Sequence, residues 1–309
     1  MCALRERALD WQDPGGVHDM RVASRRLRSA ISDFKRYLPK GGLPLNELKT
    51  IANQLGAVRD EDVVLAALAD LRSKADQNLR KGIDAIAREQ RRRRKRARAT
   101  LEGAIDPEAI AEFQRDFRSK LRKVTKGSRN DLERDYAGQT LTFGKVGIKV
   151  IGGRLKQITK GGPSVYHPLK AKKLHRLRIF AKKLRYALEL FAPCSSEQLQ
   201  ELADEVGRWQ TSLGELHDCD VWIDHLEARL RKGGEGRSDG RHRSPADAAV
   251  AVWLLHHFAS ERTKHYCYAL ARWHKWQTEG FLNRIKTLLN HDFIDAGALP
   301  RKKRPAGPS

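Results

Sequence analysis

Two clusters of histidine and basic residues recur in this chain at one spacing, and both have the chemistry to hold an oxygen-rich anion. The first lies in Val17 to Phe34, VHDMRVASRRLRSAISDF, and the second in Leu174 to Phe191, LHRLRIFAKKLRYALELF, offset by 157 residues without a gap. His18/His175, Arg21/Arg178, Leu27/Leu184, Arg28/Arg185, Ala30/Ala187 and Phe34/Phe191 are identical, while Arg25/Lys182 and Arg26/Lys183 keep their charge. On a helix, His18, Arg21, Arg25 and Arg28 fall within an arc of about 80°, and His175, Arg178, Lys182 and Arg185 do the same. An arginine fork bonds two oxygens at once and a lysine acts as a point charge, so such a stripe suits a chain of phosphates.

The charges on these faces are almost all of one sign. Like charges three and four residues apart destabilise a helix, and a merely solvated face would intersperse Glu. The same sign kept at the same places in two halves points to a ligand that supplies the negative charge. A second echo follows at an offset of 158 residues: LGAVRDEDV from Leu55 to Val63 matches LGELHDCDV from Leu213 to Val221. Its D-x-D pairs, Asp60 with Asp62 and Asp218 with Asp220, have the residue type a metal-dependent phosphatase would use. The simpler reading places each pair at the start of a helix, complementing its dipole and pairing with cations. The run Arg88 to Arg98, REQRRRRKRAR, would extend a phosphate-binding surface, contact nucleic acid or stay solvated. Trp253, Tyr266, Tyr268, Trp273 and Trp276 are spaced as a helical core rather than as a base-stacking platform. The remaining histidines lack zinc-like spacing, and neither G-x-x-x-x-G-K-[ST] nor G-x-G-x-x-G occurs. The sequence therefore predicts no catalytic residue, no metal site and no cofactor.

The elements that position these residues are helices. Strand-like alternation is absent, and helical periodicity predicts helices over about 17–38, 44–57, 60–102, 107–122, 135–158, 168–192, 196–214, 218–231 and 246–290, the last interrupted. In the helix expected over 17–38, Met20, Ala23, Leu27, Ala30, Ile31, Phe34 and Leu38 lie opposite the cations as a core stripe. Gly144, Gly147, Gly152 and Gly153 cost the 135–158 helix about 1 kcal/mol each relative to Ala. They imply either a break or close approach of another backbone. Residues 232–245 read as a loop. The chain of 309 residues divides into a first helical half, 1-126, a second, 127-292, and a disordered basic tail, 293-309. A counterpart of the 135–158 helix would fall before residue 1 of the first half, so that half is expected to lack its opening helix. Only a short helical turn over Ala3 to Asp10 stands in its place.

Sixty-one Lys and Arg against 38 Asp and Glu leave a net charge of +23, which attracts nucleic acid, anionic membrane or phosphate polymers. No apolar run approaches the roughly 18–20 residues a membrane span needs. Arg5, Glu6 and Arg7 stand where a secretory signal would be apolar, so a cytoplasmic location is expected. The four scattered cysteines predict neither disulfides nor zinc.

The pair H-x-x-R-V-x-x-R-R-L-R and L-H-x-L-R-x-x-x-K-K-L-R-Y-x-x-E, each followed by L-G-x-x-x-D, resembles the CHAD domain, the conserved histidine α-helical domain. The resemblance runs from about residue 17 to 290. It implies an all-α fold of two antiparallel four-helix-bundle halves related by a pseudo-two-fold axis, with a basic cleft between them. It implies binding of inorganic polyphosphate by His18, Arg21, Arg25, Arg28, His175, Arg178, Lys182 and Arg185. Arg26 and Lys183 match the motif but lie roughly 80° off the stripe. The E-x-E-x-K signature of triphosphate tunnel enzymes, which often accompany CHAD domains, is absent. The expected function is non-catalytic retention of polyphosphate, or docking on polyphosphate granules in the cytoplasm. A nucleic-acid-binding protein using the same surface is the alternative. Nucleic acid is then a competing polyanion, a second copy of the chain is the other partner to consider, and no membrane is involved.

Overall fold

The computed structural model describes residues 1–13, 15–38, 43–127, 142–194, 198–234 and 245–291. Among them every regular element is helical: α1 (Arg5–Leu9), α2 (Gly16–Asp33), α3 (Leu45–Lys74), α4 (Gln77–Ala104), α5 (Pro107–Gly127), α6 (Phe143–Gly161), α7 (Ala171–Phe191), α8 (Gln198–Gly234), α9 (Pro245–Thr278) and α10 (Phe281–His291), with short 3-10 turns at Cys2–Leu4, Gly162–Tyr166 and Ala192–Cys194. The all-α expectation holds. The tail 293-309, residues 135–141 and most of the 232–245 loop lie outside the described residues.

The chain folds into two compact units, one formed by Met1–Arg129 with Asp218–Glu261 and the other by Asn130–His217 with Arg262–Ser309. Helices α8 and α9 therefore each give residues to both. In the first unit, Ala8, Val17, Met20, Leu48, Leu55, Leu101, Ile105 and Phe113 form one core from α1 to α5. Leu68, Leu71, Ile83 and Ile86 pack with Trp222, Leu226, Val250, Leu254 and Phe258 in another. In the second unit the buried residues include Ile151, Leu155 and Ile158 of α6, Leu177, Leu184 and Phe191 of α7, Trp209 of α8, Trp273 and Trp276 of α9 and Ile285 of α10.

Of the core stripe expected on α2, Met20 is fully buried and Leu27 and Ile31 are partly buried against the same core. Beside α2 stands the five-residue α1, where the 19-residue α6 stands beside α7. Arg5 donates to the Ile105 carbonyl at 2.6 Å and Trp11 Nε1 to Glu102 at 3.1 Å, tying this short segment to the end of α4.

Two of the expected breaks between helices are absent. The break placed near residue 58 is absent: α3 runs unbroken to Lys74, and the chain turns at Ala75 and Asp76, whose backbones are extended. The break placed near 215–217 is absent in the same way, because α8 is continuous from Gln198 to Gly234. Gly56 and Gly214, at or beside the helix ends expected at 57 and 214, lie mid-helix. The expected interruption of the last helix is at Gly280, whose φ of 63° ends α9 with a left-handed residue.

Helix α6 is continuous through all four glycines, so it is not broken, and Thr142 caps it by accepting from Lys145 N at 3.2 Å. A Cβ at Gly152 or Gly153 would meet nothing within 4 Å, so among the described residues no backbone packs there. A close approach occurs instead at Gly162, where a Cβ would overlap the Trp273 ring. Trp273 and Trp276 are buried and Trp253 packs on a core, as core spacing predicts. Tyr268 departs from that reading at 62% exposure.

Candidate functional site

The basic motif helices α2 and α7 each lie against the first part of the next long helix. In the first unit Arg21 reaches across α3, with its Nε 3.7 Å from where a Gly56 Cβ would stand and its Nη2 donating to Asp60 Oδ1 at 3.4 Å. In the second unit Arg178 crosses α8, its Nε 3.5 Å from the corresponding point at Gly214. The glycine of each L-G motif thus lies beneath the motif arginine. A long side chain there would push the guanidinium away from the helix.

The histidines meet basic residues from the same neighbouring helices. His18 is held below its ordinary value of 6.5 by burial, then by Arg59 and Arg25, with Arg21 adding to the effect and Asp19 opposing it. His175 is held below 6.5 by burial, then by His217, Arg178 and Lys182. The His175 and His217 rings are 4.1 Å apart at 49°, and His175 Nδ1 is buried without a hydrogen bond among the described residues. Arg59 and His217 occupy equivalent positions in the second repeat motif. Each motif histidine therefore shares its site with a basic residue one helix away. Sequence reasoning missed both partners. The signal was present, since each lies three residues after the glycine of an L-G pair and both are basic.

The predicted site residues fall into three groups. Arg21, Arg25 and Arg59 lie near enough to His18 to act on its charge, and Arg178, Lys182 and His217 do the same for His175. Arg28 is exposed about 15 Å farther along its helix from His18, on the rise per residue. Arg185 bonds Glu189 at 2.7 Å and lies 3.5 Å from a Gly207 Cβ position, with its guanidinium 5.9 Å from the Tyr186 ring. Arg26 is exposed and Lys183 half-buried.

The D-x-D pairs do not begin helices. Asp60 and Asp62 lie inside α3, and Asp218 and Asp220 inside α8. A helix-dipole explanation fails there, since that field falls off within the first turn. Ion pairing remains: Asp60 accepts from Arg21, and Asp62 lies 3.4 Å from Arg94 and 3.7 Å from Arg98. Arg98 also covers the Trp11 ring at 4.4 Å. Glu89 takes Arg93 at 2.6 Å and Arg229 at 3.2 Å, so three arginines of the run, Arg93, Arg94 and Arg98, have carboxylate partners. Glu61, beside these carboxylates, has its pKa raised, chiefly by burial. Among the described residues no three His, Cys, Asp or Glu side chains cluster as metal ligands, and no helix is long and apolar enough to cross a membrane.

An all-helical chain with two repeated cationic helix faces, each organised around a motif histidine, is the class defined by this fold and site. A family model described as CHAD domain matches residues 1–227, and the chain belongs to that family. A solved structure of the CHAD domain from the plant Ricinus communis matches with a TM-score of 0.63 and 21% identity, over 87% of this chain and 85% of that one, and shares the fold. A search of curated proteins finds no match.

Proposed function

We propose that this chain binds inorganic polyphosphate on its two repeated His/Arg/Lys faces and catalyses no reaction of it. One observation carries the reading. The same arrangement is built twice: a motif histidine beside a basic residue of the next helix, and a motif arginine laid across a glycine. A polyphosphate chain has no base edges to be read and offers only oxygens, so recognition reduces to repeated donors of one sign. Ser, Thr and Asn donors would provide hydrogen bonds without charge; these faces instead use Arg, Lys and His. The nearby aspartates support a binding role, because Asp60 and Asp62 are engaged with arginines. The protein then retains polyphosphate in the cytoplasm or docks on its granules.

The test is a titration of long-chain polyphosphate against the wild type and the R21Q/R25Q/R178Q/K182Q variant across a salt series. Affinity should fall steeply with salt for the wild type and collapse in the variant. Equal binding by both proteins would overturn the assignment.

A further inference from the structure

Helix α4 carries a second cationic surface that the repeated motifs do not account for. Arg88, Arg91, Arg92, Lys95 and Arg96 are all exposed, whereas Arg93, Arg94 and Arg98 pair with Glu89 and Asp62. On a regular helix the five outward residues span an arc of about 140° and roughly 12 Å of axis. None of them forms an ion pair among the described residues. The nearest acid on this face, Asp84, bonds Arg72 at 2.6 Å, and its pKa is lowered first by that bond and less by Arg88 and Arg91. The corresponding long helix of the other repeat, α9, carries no such run. The repeated fold and the repeated site therefore do not require it.

We infer that the outer face of α4 is a binding ridge for double-stranded DNA, contacting its phosphate backbone without reading sequence. Shape decides among polyanions. The motif faces set half-buried arginines against a neighbouring helix, which suits a thin chain. The α4 charges are exposed along one face of a single helix, and a helix face with cations across a wide arc fits a groove that carries charge on both walls. The B-DNA major groove is about 12 Å wide, admits an α-helix and is flanked by phosphates. A cationic arc of this width reaches both walls. Single strands are disfavoured because the five positions include no aromatic on which a base could stack. Insertion into a membrane is disfavoured because the exposed large hydrophobic residues lie outside α4. A-form RNA is disfavoured because its major groove is deep and narrow.

This inference does not depend on the polyphosphate reading. The probe is a 24-base-pair DNA duplex of arbitrary sequence, titrated in parallel with the matched RNA duplex and long-chain polyphosphate. The proteins are the wild type, R88Q/R91Q/R92Q/K95Q/R96Q and R21Q/R25Q/R178Q/K182Q, each checked for unchanged helicity and melting. The α4 variant should lose at least 30-fold in DNA affinity, on the order expected for several phosphate contacts, and its salt slope should flatten by about 4. It should keep polyphosphate binding within about threefold, while the motif variant should show the reverse pattern. Failure of the wild type to bind DNA, undiminished DNA binding by the α4 variant, or equal affinity for the RNA duplex would overturn the inference. So would equal losses of both ligands in both variants, which would mean a single diffuse field. Loss of the polyphosphate reading alone would appear only in the motif variant.

Discussion

Neutralising Arg21 and Arg25 together separates a built site from a net-charge effect. Arg21 is 26% exposed and its partner Asp60 is 73% exposed, so their 3.4 Å pair is close to a surface ion pair. Such a pair contributes about 0–1 kcal/mol, and Asp60 can resolvate when it is lost. R21Q/R25Q should therefore stay folded, with its melting temperature within a few degrees of wild type. Binding should suffer far more. A hydrogen bond to a charged group contributes about 1.5–3 kcal/mol, which is roughly 10- to 100-fold in affinity for each arginine. Neighbouring sites are not additive, so about 100-fold for the pair is the reasonable expectation at low salt. The control is R301Q/K302Q in the tail, which removes the same two charges from a part of the chain that the motifs do not include. Fluorescence anisotropy with labelled polyphosphate, at three salt concentrations, reads both affinities. Comparable losses in the two variants would refute the site and leave only the field of a protein with net charge +23.

Further outcomes are fixed by the same geometry. His18 and His175 have pKa values below 6.5 in the free protein, and bound phosphate must raise them. Polyphosphate affinity should therefore climb as pH falls, with most of the rise near and below pH 6.5; H18Q/H175Q should flatten it, and an unchanged slope would show that neither histidine titrates. Gly162→Ala drives a methyl into the Trp273 ring and should destabilise by about 1–3 kcal/mol, whereas Gly152→Ala enters open space within α6 and should stabilise by up to about 1 kcal/mol, both read from urea midpoints. Incubation with polyphosphate should release no orthophosphate with or without magnesium, and metal-dependent release would contradict the non-catalytic proposal.

The motif residues and the all-helical class were legible because both rest on local periodicity. His18, Arg21 and Arg25 form a stripe by helical spacing alone, and the matching offset supplied the second copy. What escaped was set by contacts between helices. Helix ends were expected at 57 and 214, yet Gly56 and Gly214 each lie beneath a motif arginine in an unbroken helix. With those false ends removed, Asp60 and Asp218 ceased to be capping residues. Arg59 and His217 were visible as letters in the second motif, but nothing local tells that they face His18 and His175. The packing of residues 218–261 with the first 129 is likewise a long-range choice, decided by where Trp222, Leu254 and Phe258 bury their area.

The two faces are equivalent in plan and unequal in charge, and the inequality has a consequence for binding. The first unit surrounds its histidine with Arg21, Arg25 and Arg59, all permanently charged. The second replaces Arg59 by His217 and Arg25 by Lys182, and its Arg185 is partly neutralised by Glu189 at 2.7 Å. At pH 7.5 the first face should hold polyphosphate more tightly, so R21Q/R25Q should cost more affinity than R178Q/K182Q. Acidification adds charge mainly where two histidine rings already touch, at 4.1 Å. The second face then gains on the first, and the gap between the two double variants should narrow as pH falls toward and below 6.5, the ordinary value beneath which His18 and His175 lie in the free protein. Replacing His217 with Arg should raise affinity at pH 7.5 and remove most of that narrowing. A gap that stays constant with pH in the wild-type background would mean that the facing residue, Arg59 or His217, does not contribute to the field the ligand feels.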